Sequence, residues 1–233
     1  MGLDGELGKL VVRLAALSLA ATVAATPASA CGVELVLAMD VSRSVVNAEF
    51  NLQMGGLAQA FRTPEIVEAI GWIPGGVMAT VTQWSGPETH VQSTAWRHLE
   101  SPDSIAAFAA EIDAVRRQFF AAFTAVGEAL IHADALSATN PRPCQRRVID
   151  VSGDGASNRG REPRPIAAAL AAEGVTVNAL VIKGARPDPE AYYAENVIAG
   201  PGAFVITADS FNDYARAIRE KLLRELSPAF ANR

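Results

Sequence analysis

The chain has 233 residues, half of them hydrophobic and 19% charged, which suits one domain of ordinary size with a sizeable core. Its formal net charge is −5, and removing the first thirty residues leaves that unchanged because Asp4 and Glu6 balance Lys9 and Arg13. An acidic chain with no basic run is a poor partner for nucleic acid, and that class is set aside.

The N-terminus reads as an export signal. Lys9 and Arg13 precede the apolar stretch from Leu14 to Ala25, and Pro27 and the small-residue site Ala28-Ser29-Ala30 follow. This predicts a secretory signal over residues 1–30, a domain over 31–233, and a periplasmic or secreted protein. The stretch falls short of the ~20 apolar residues that a spanning helix needs, and no other segment is long and apolar enough. No membrane span is therefore expected once the signal is removed; an uncleaved anchor is the alternative. Lipidation of Cys31 is a second alternative, although Ala28 stands where that signal usually has Leu.

Val33-Glu-Leu-Val-Leu-Ala-Met39 is an almost unbroken apolar run, the pattern of a strand buried on both faces of a parallel sheet. It ends in Asp40-Val-Ser42-Arg-Ser44. In an open α/β sheet, loops at strand exits carry ligands, and three alternating oxygens there can converge on one point. Hard divalent cations such as Mg²⁺ want oxygen ligands. An ordinary Ser/Asp helix cap is the competing reading of the same five residues.

Helical spacing follows over Val45–Phe61, with Gly55-Gly56 in its middle as either a close-packing point or a weak place. Pro64–Ile70 predicts a short second helix and Val77–Trp84 a strand. Ser85–Glu88 is a turn, and Thr89–Leu99 should return as an antiparallel edge strand. A helix is expected from Ser101-Pro102 to about Arg117, another over Thr124–Ser137, and a second buried strand over Arg147–Ser152. That strand carries Asp150 amid apolar neighbours, and a buried carboxylate must find a partner or shift its pKa. Pro165–Glu173 is helical, Val175–Ile182 is an apolar strand, and Pro189–Ala199 is a short helix. Ala203–Thr207 is the last strand and Ser210–Leu226 an amphipathic closing helix through Phe211, Tyr214, Ile218 and Leu222. Alternating strands and helices make the chain α/β with a mostly parallel central sheet.

The Asp40 cluster has partners in Thr124, at the start of a helical segment, and Asp154, which closes the second apolar run in Val-Ile-Asp-Val-Ser-Gly-Asp154-Gly. Asp-x-Ser-x-Ser, then a Thr before a helix, then Asp-Gly after a strand resembles the von Willebrand factor A domain. The longer phrase Arg146–Gly160 is similar to a bacterial branch known as a domain of unknown function. The resemblance covers roughly residues 33–226. It implies a Rossmann-like fold with helices on both faces, the first strand central beside the 148–152 strand, and one antiparallel edge. It also implies a metal-ion-dependent adhesion site (MIDAS) in which Ser42, Ser44 and sometimes Thr124 bind Mg²⁺ or Mn²⁺ directly. Asp40 and Asp154 would bind it directly or through water. An open coordination position would then take a Glu or Asp carboxylate from a protein partner. One departure stands out: the family's usual Thr-Asp-Gly reads Gly153-Asp154-Gly155, so residue 153 supplies no hydroxyl. A retained fold with a degenerate site is the alternative this keeps open.

Enzymatic readings find little support. His90, His98 and His132 lack zinc-site spacing and read as surface or packing residues. No Gly-x-Ser-x-Gly elbow or phosphate-binding Gly-Lys loop occurs. A metal-assisted hydrolase remains as an alternative, but it needs a general base and the loops offer only the metal's own carboxylates. Trp84 and Trp96 should pack on neighbouring strands. Arg159, Arg161 and Arg164 form either a solvated loop or a basic rim steering an acidic partner.

Cys31 and Cys144 are the only cysteines, and an exported chain would meet an oxidising compartment. Cys31 lies nine residues before Asp40 and Cys144 ten before Asp154. If the resemblance places both aspartates at adjacent strand exits, the cysteines meet at the opposite edge with one residue of stagger, ~5–6 Å apart. A Cys31–Cys144 disulfide is expected; two free thiols are the alternative.

Overall fold

The computed structural model describes residues 30–120, 123–185 and 188–226, so the signal expected over residues 1–30 lies outside them apart from Ala30. Among the described residues seven strands form one sheet: β1 (Cys31–Asp40), β2 (Val77–Trp84), β3 (His90–Gln92), β4 (Arg97–Leu99), β5 (Cys144–Gly153), β6 (Val175–Ile182) and β7 (Val205–Ala208). Their order is β3-β2-β1-β5-β6-β7, with β4 also on β2. All pairs are parallel except those of β3 and β4 with β2. Helices α1 (Asn47–Phe61), α2 (Pro64–Gly71), α3 (Pro102–Ala114), α4 (Val126–Ser137), α5 (Pro163–Ala172), α6 (Pro189–Asn196) and α7 (Tyr214–Leu226) cover it.

β1 is buried along its whole length, and its alternate side chains feed two cores. Leu35, Leu37 and Met39 pack with α1, α2, α3 and α7. Val36 and Ala38 face the other way, into the layer of α4, α5 and α6. Helices thus lie on both faces, as the α/β reading requires. From β1 the chain steps to β2 on one side, then crosses to β5 on the other. The strand order reverses at β1, and the loops leaving β1 and β5 flank the crevice where open α/β sheets bind ligands.

The expected single edge strand over Thr89–Leu99 is corrected to two short ones. Between the pairs Thr82–Gln92 and Ala79–Arg97, β2 advances three residues and the returning chain five. The surplus is a bulge: Ser93 and Thr94 N–H both point at the Val81 carbonyl, and Thr94 Oγ1 accepts the Val81 N–H at 2.9 Å. Trp96 therefore lies between strands, donating to Thr139 Oγ1 at 3.0 Å, while Trp84 ends β2 fully buried. The helix expected to reach Arg117 stops at Ala114, since Val115 is extended (ψ 130°).

The two central glycines of α1 differ. A Cβ on Gly56 would meet the Tyr214 ring at 3.0 Å and Ala215 Cα at 3.1 Å, so Gly56 is where α1 and α7 come close; a Cβ on Gly55 meets nothing within 4 Å. Gly56→Ala should cost ~1–3 kcal/mol through overpacking, whereas Gly55→Ala should add up to ~1 kcal/mol of helix propensity. Chemical denaturation of both variants checks this; equal shifts would contradict the packing reading.

The two cysteines form the expected disulfide, with Cα atoms 4.3 Å apart. They face each other directly, Cys31 opposite Cys144, instead of being staggered. The register holds along the strands to Met39 opposite Ser152. The extra residue falls at the far end, where Asp154 lies two residues beyond Ser152 and Asp40 one beyond Met39.

Candidate metal centre

Asp40 ends β1 fully buried. Its Oδ1 accepts the Ser42 N–H at 2.7 Å, which folds the chain back so that the Ser42 and Ser44 hydroxyls come within 3.2 Å. Ser44 Oγ donates to Asp154 Oδ1 at 2.8 Å, closing a chain of oxygens from the β1 exit to the β5 exit. Asp40 Oδ2 is buried with no hydrogen-bond partner among the described residues. A charged oxygen left this way is costly unless something positive meets it.

Thr124 reaches the same place by another route. Its N–H donates to Asn158 Oδ1 (3.0 Å) and its carbonyl accepts the Asn158 N–H (2.9 Å), so the chain before α4 is stitched to the loop after Asp154. Among the described residues, the Thr124 hydroxyl makes no hydrogen bond to the other four candidates. The structure thus links Asp40, Ser42, Ser44 and Asp154 directly and holds Thr124 to that loop through its backbone.

Electrostatics favour a cation here. Burial, reinforced by the charge of Asp154, pushes the Asp40 carboxyl up to about 7. Burial also raises Asp154. Both shifts have the same cause, burial of carboxyls that lie close together, so the ionised pair is costly without a positive charge beside it. No group of three or more His, Cys, Asp or Glu among the described residues is placed to hold a metal. The Asp40 site offers two carboxylates and hydroxyls instead, a set that suits a hard cation keeping several waters.

Two residues here went unread in the sequence. Arg117, free of α3, donates to the Val41 and Ser42 carbonyls at 3.0 Å each and so clamps the loop that carries the serines. Its charge also draws the Asp40 pKa down, against burial. The second is Tyr193 on α6. Its hydroxyl is fully buried without a hydrogen-bond partner among the described residues. It lies 2.1 Å from where a Cβ on Gly153 would sit. Burial, then the charges of Asp40 and Asp154, raises its pKa well above 10, so it stays a neutral O–H.

The sequence profile of a family described as "Protein of unknown function (DUF1194)" matches residues 30–230. The chain belongs to that family. No curated protein matches it. Among solved structures, proximal thread matrix protein 1 from the mussel byssus superposes with a TM-score of 0.61 at 20% identity, over 84% of this chain and 46% of that one. Another crystal of that protein has a zinc-occupied MIDAS motif (TM-score 0.59, 19% identity, 84% and 46% covered). The pilus adhesin SpaC of Lactobacillus rhamnosus GG superposes at 0.61, with 14% identity over 85% of this chain and 31% of that one. This chain spans less than half the length of these relatives. The fold is von Willebrand A-like, as the motif implied.

Around the site of this DUF1194 chain, a groove of about 440 Å³ runs beside Ser44 and Asp154, lined further by Glu49, Leu52, Lys183 and Phe211. Of the arginines considered as a rim, Arg161 is tied to Glu128 (3.3 Å) and Arg159 lies over the Phe123 ring (4.4 Å). Arg164 is exposed on α5. The histidines sit elsewhere: His90 stacks on His132 at 4.3 Å, and His98 contacts the Gly75 carbonyl at 2.8 Å.

Proposed function

We propose that the chain is an exported, metal-dependent protein-binding module. Asp40, Ser42, Ser44, Thr124 and Asp154 would hold Mg²⁺ or Mn²⁺. The bound cation would supply an electrophilic position that a Glu or Asp carboxylate of a partner protein fills. The observation that carries this reading is Asp40 Oδ2, a buried, unpartnered carboxylate oxygen on the residue that begins a hydrogen-bonded run through Ser42 and Ser44 to Asp154. Likeness in fold to a matrix protein and a pilus adhesin supports binding over catalysis. No helix among the described residues is long and apolar enough to cross a membrane. The disulfide supports a signal over residues 1–30 and a periplasmic or secreted location, because such bridges persist in oxidising compartments.

Calorimetry with Mg²⁺, Mn²⁺ and Zn²⁺ tests the site. Wild type should bind one ion, and Asp40→Ala or Asp154→Ala should abolish binding while the circular dichroism spectrum is kept. Because the proton competes with the cation for Asp40, affinity should fall below pH ~7, by up to about tenfold per unit. Equal affinity in wild type and Asp40→Ala would refute the assignment. For the partner, recovery of the same protein with Mg²⁺ and its loss on chelation is the expected result.

A further inference from the structure

Gly153 precedes Asp154, and Tyr193 of α6 occupies the space that a side chain at 153 would take. A Cβ built there would lie 2.1 Å from the Tyr193 hydroxyl oxygen and 3.4 Å from Asp40 Oδ2. No side chain fits at 153 while Tyr193 keeps its place. The two oxygens around this point share an unusual state: both are fully buried, and neither has a hydrogen-bond partner among the described residues. One is a carboxylate oxygen of the cation site, the other a neutral hydroxyl that can both donate and accept. Buried polar atoms are nearly always satisfied, by protein or by ordered water. Two unsatisfied atoms that flank the same position point to a shared third party.

We propose that Tyr193 is a positioning residue of the cation site, its hydroxyl holding a water between itself and Asp40 Oδ2. This rests on the cation reading above and deepens it. The hydroxyl reaches the site from α6, over the sheet edge at β6 and β7, and stands where the chain has no side chain of its own at 153. It orients the carboxylate oxygen that the Ser42 N–H leaves free, so that Asp40 meets the cation in one geometry. Outer partners of this kind fix how ligands point, and their loss commonly weakens metal binding 10–100-fold. Being neutral, the tyrosine does this without adding charge to a site that already carries two carboxylates.

The test is a set of Mg²⁺ and Mn²⁺ titrations, with melting of the metal-free protein as a second readout. Tyr193→Phe removes one oxygen and keeps the ring, which belongs to the same buried core as Val36, Ala38 and Val197. It should weaken binding roughly tenfold or more, while the metal-free melting temperature changes little, since the buried ring is kept. A merely structural tyrosine would move both together, and that result overturns the proposal, as does unchanged affinity. Gly153→Thr combined with Tyr193→Leu clears the ring's end and offers a hydroxyl from the opposite side. It should bind more tightly than Tyr193→Leu alone; a folded double variant with no gain counts against the proposal. If wild type binds neither ion, this inference and the cation reading both fail. If wild type binds and Tyr193→Phe binds equally, only the role of Tyr193 fails.

Discussion

Replacing Lys221 by methionine should destabilise the protein by roughly 3–5 kcal/mol at neutral pH, the cost typical of breaking a buried ion pair from one side. Lys221 on α7 is fully buried, with its Nζ 2.6 Å from Asp150 Oδ1 of β5 and 2.6 Å from Glu225 Oε1 one turn on. Asn178 of β6 donates to the same Glu225 oxygen at 2.9 Å. The Arg146 side chain reaches the Glu225 carbonyl. Two buried carboxylates share one buried cation, and methionine would leave both uncompensated. The variant can relieve this only by taking up protons. Its deficit should therefore shrink between pH 7.5 and pH 5 in urea melts of oxidised protein. A loss below ~1 kcal/mol, or one that does not change with pH, would mean that the three groups do not act as a charged unit. Replacing all three with apolar residues of similar volume should restore much of the loss.

The wild type carries a weaker form of the same dependence. Burial pushes Asp150 up to about 7, against the pull of Lys221, while the charge of Glu225 works in the same direction as burial. A carboxyl raised above its unfolded value of 3.8 stabilises the fold fully below that value and loses the contribution as pH climbs through about 7. The metal-free protein should accordingly lose stability between pH 4 and 7, with a slope of up to ~1.4 kcal/mol per unit from this group.

That arrangement shows how far the sequence could be read. The run Val33–Met39 announced a central strand because it has no polar face to give to solvent, and β1 is buried throughout. Asp-x-Ser-x-Ser at its exit, with Asp154 at the next exit, led to four residues that the fold joins by hydrogen bonds. Asp150 demanded a partner, and the partner was visible: Lys221 lies seven residues after Tyr214 and Glu225 seven after Ile218, on the stripe of α7 that packs inward. Charge hid them, since period is a weaker signal than polarity for a single residue. Other parts were not legible. The bulge at Ser93-Thr94 depends on a threonine hydroxyl taking over a backbone acceptor role, which no alternation pattern encodes. Arg117 and Tyr193 reach the site from elements 77 and 153 residues beyond Asp40, and only the fold decides which distant side chain fills a gap left by a glycine.

Removing the Cys31–Cys144 bridge should lower stability by up to ~4–5 kcal/mol, the chain-entropy value for a closed loop of about a hundred residues. The bridge spans 113 positions. It joins the first residue of the central strand to the first of its neighbour, so it fixes the pairing that every other strand builds on. Its surroundings also hold the native geometry. Cys31 N–H donates to the Pro143 carbonyl at 3.0 Å, and a Cβ on Gly32 would strike Ile73 Cγ2 at 2.2 Å, so the start of β1 is wedged between two loops. A wedge of this kind limits what can relax once the sulfurs part, and the measured loss should stay near the entropic figure. Function should respond differently. Asp40 is nine residues along a strand from the bridge, ~30 Å at ~3.3 Å per residue. Reduction or Cys31→Ala/Cys144→Ala should therefore shift the denaturation midpoint strongly while changing Mg²⁺ affinity less than about twofold under conditions where the variant remains folded. Non-reducing peptide mapping must first show the linked pair. If both thiols alkylate without reductant, or if the variant unfolds at the wild-type denaturant concentration, the bridge does not support the fold in this way. A large loss of metal affinity in the folded variant would instead mean that the two ends of β1 are coupled through the sheet.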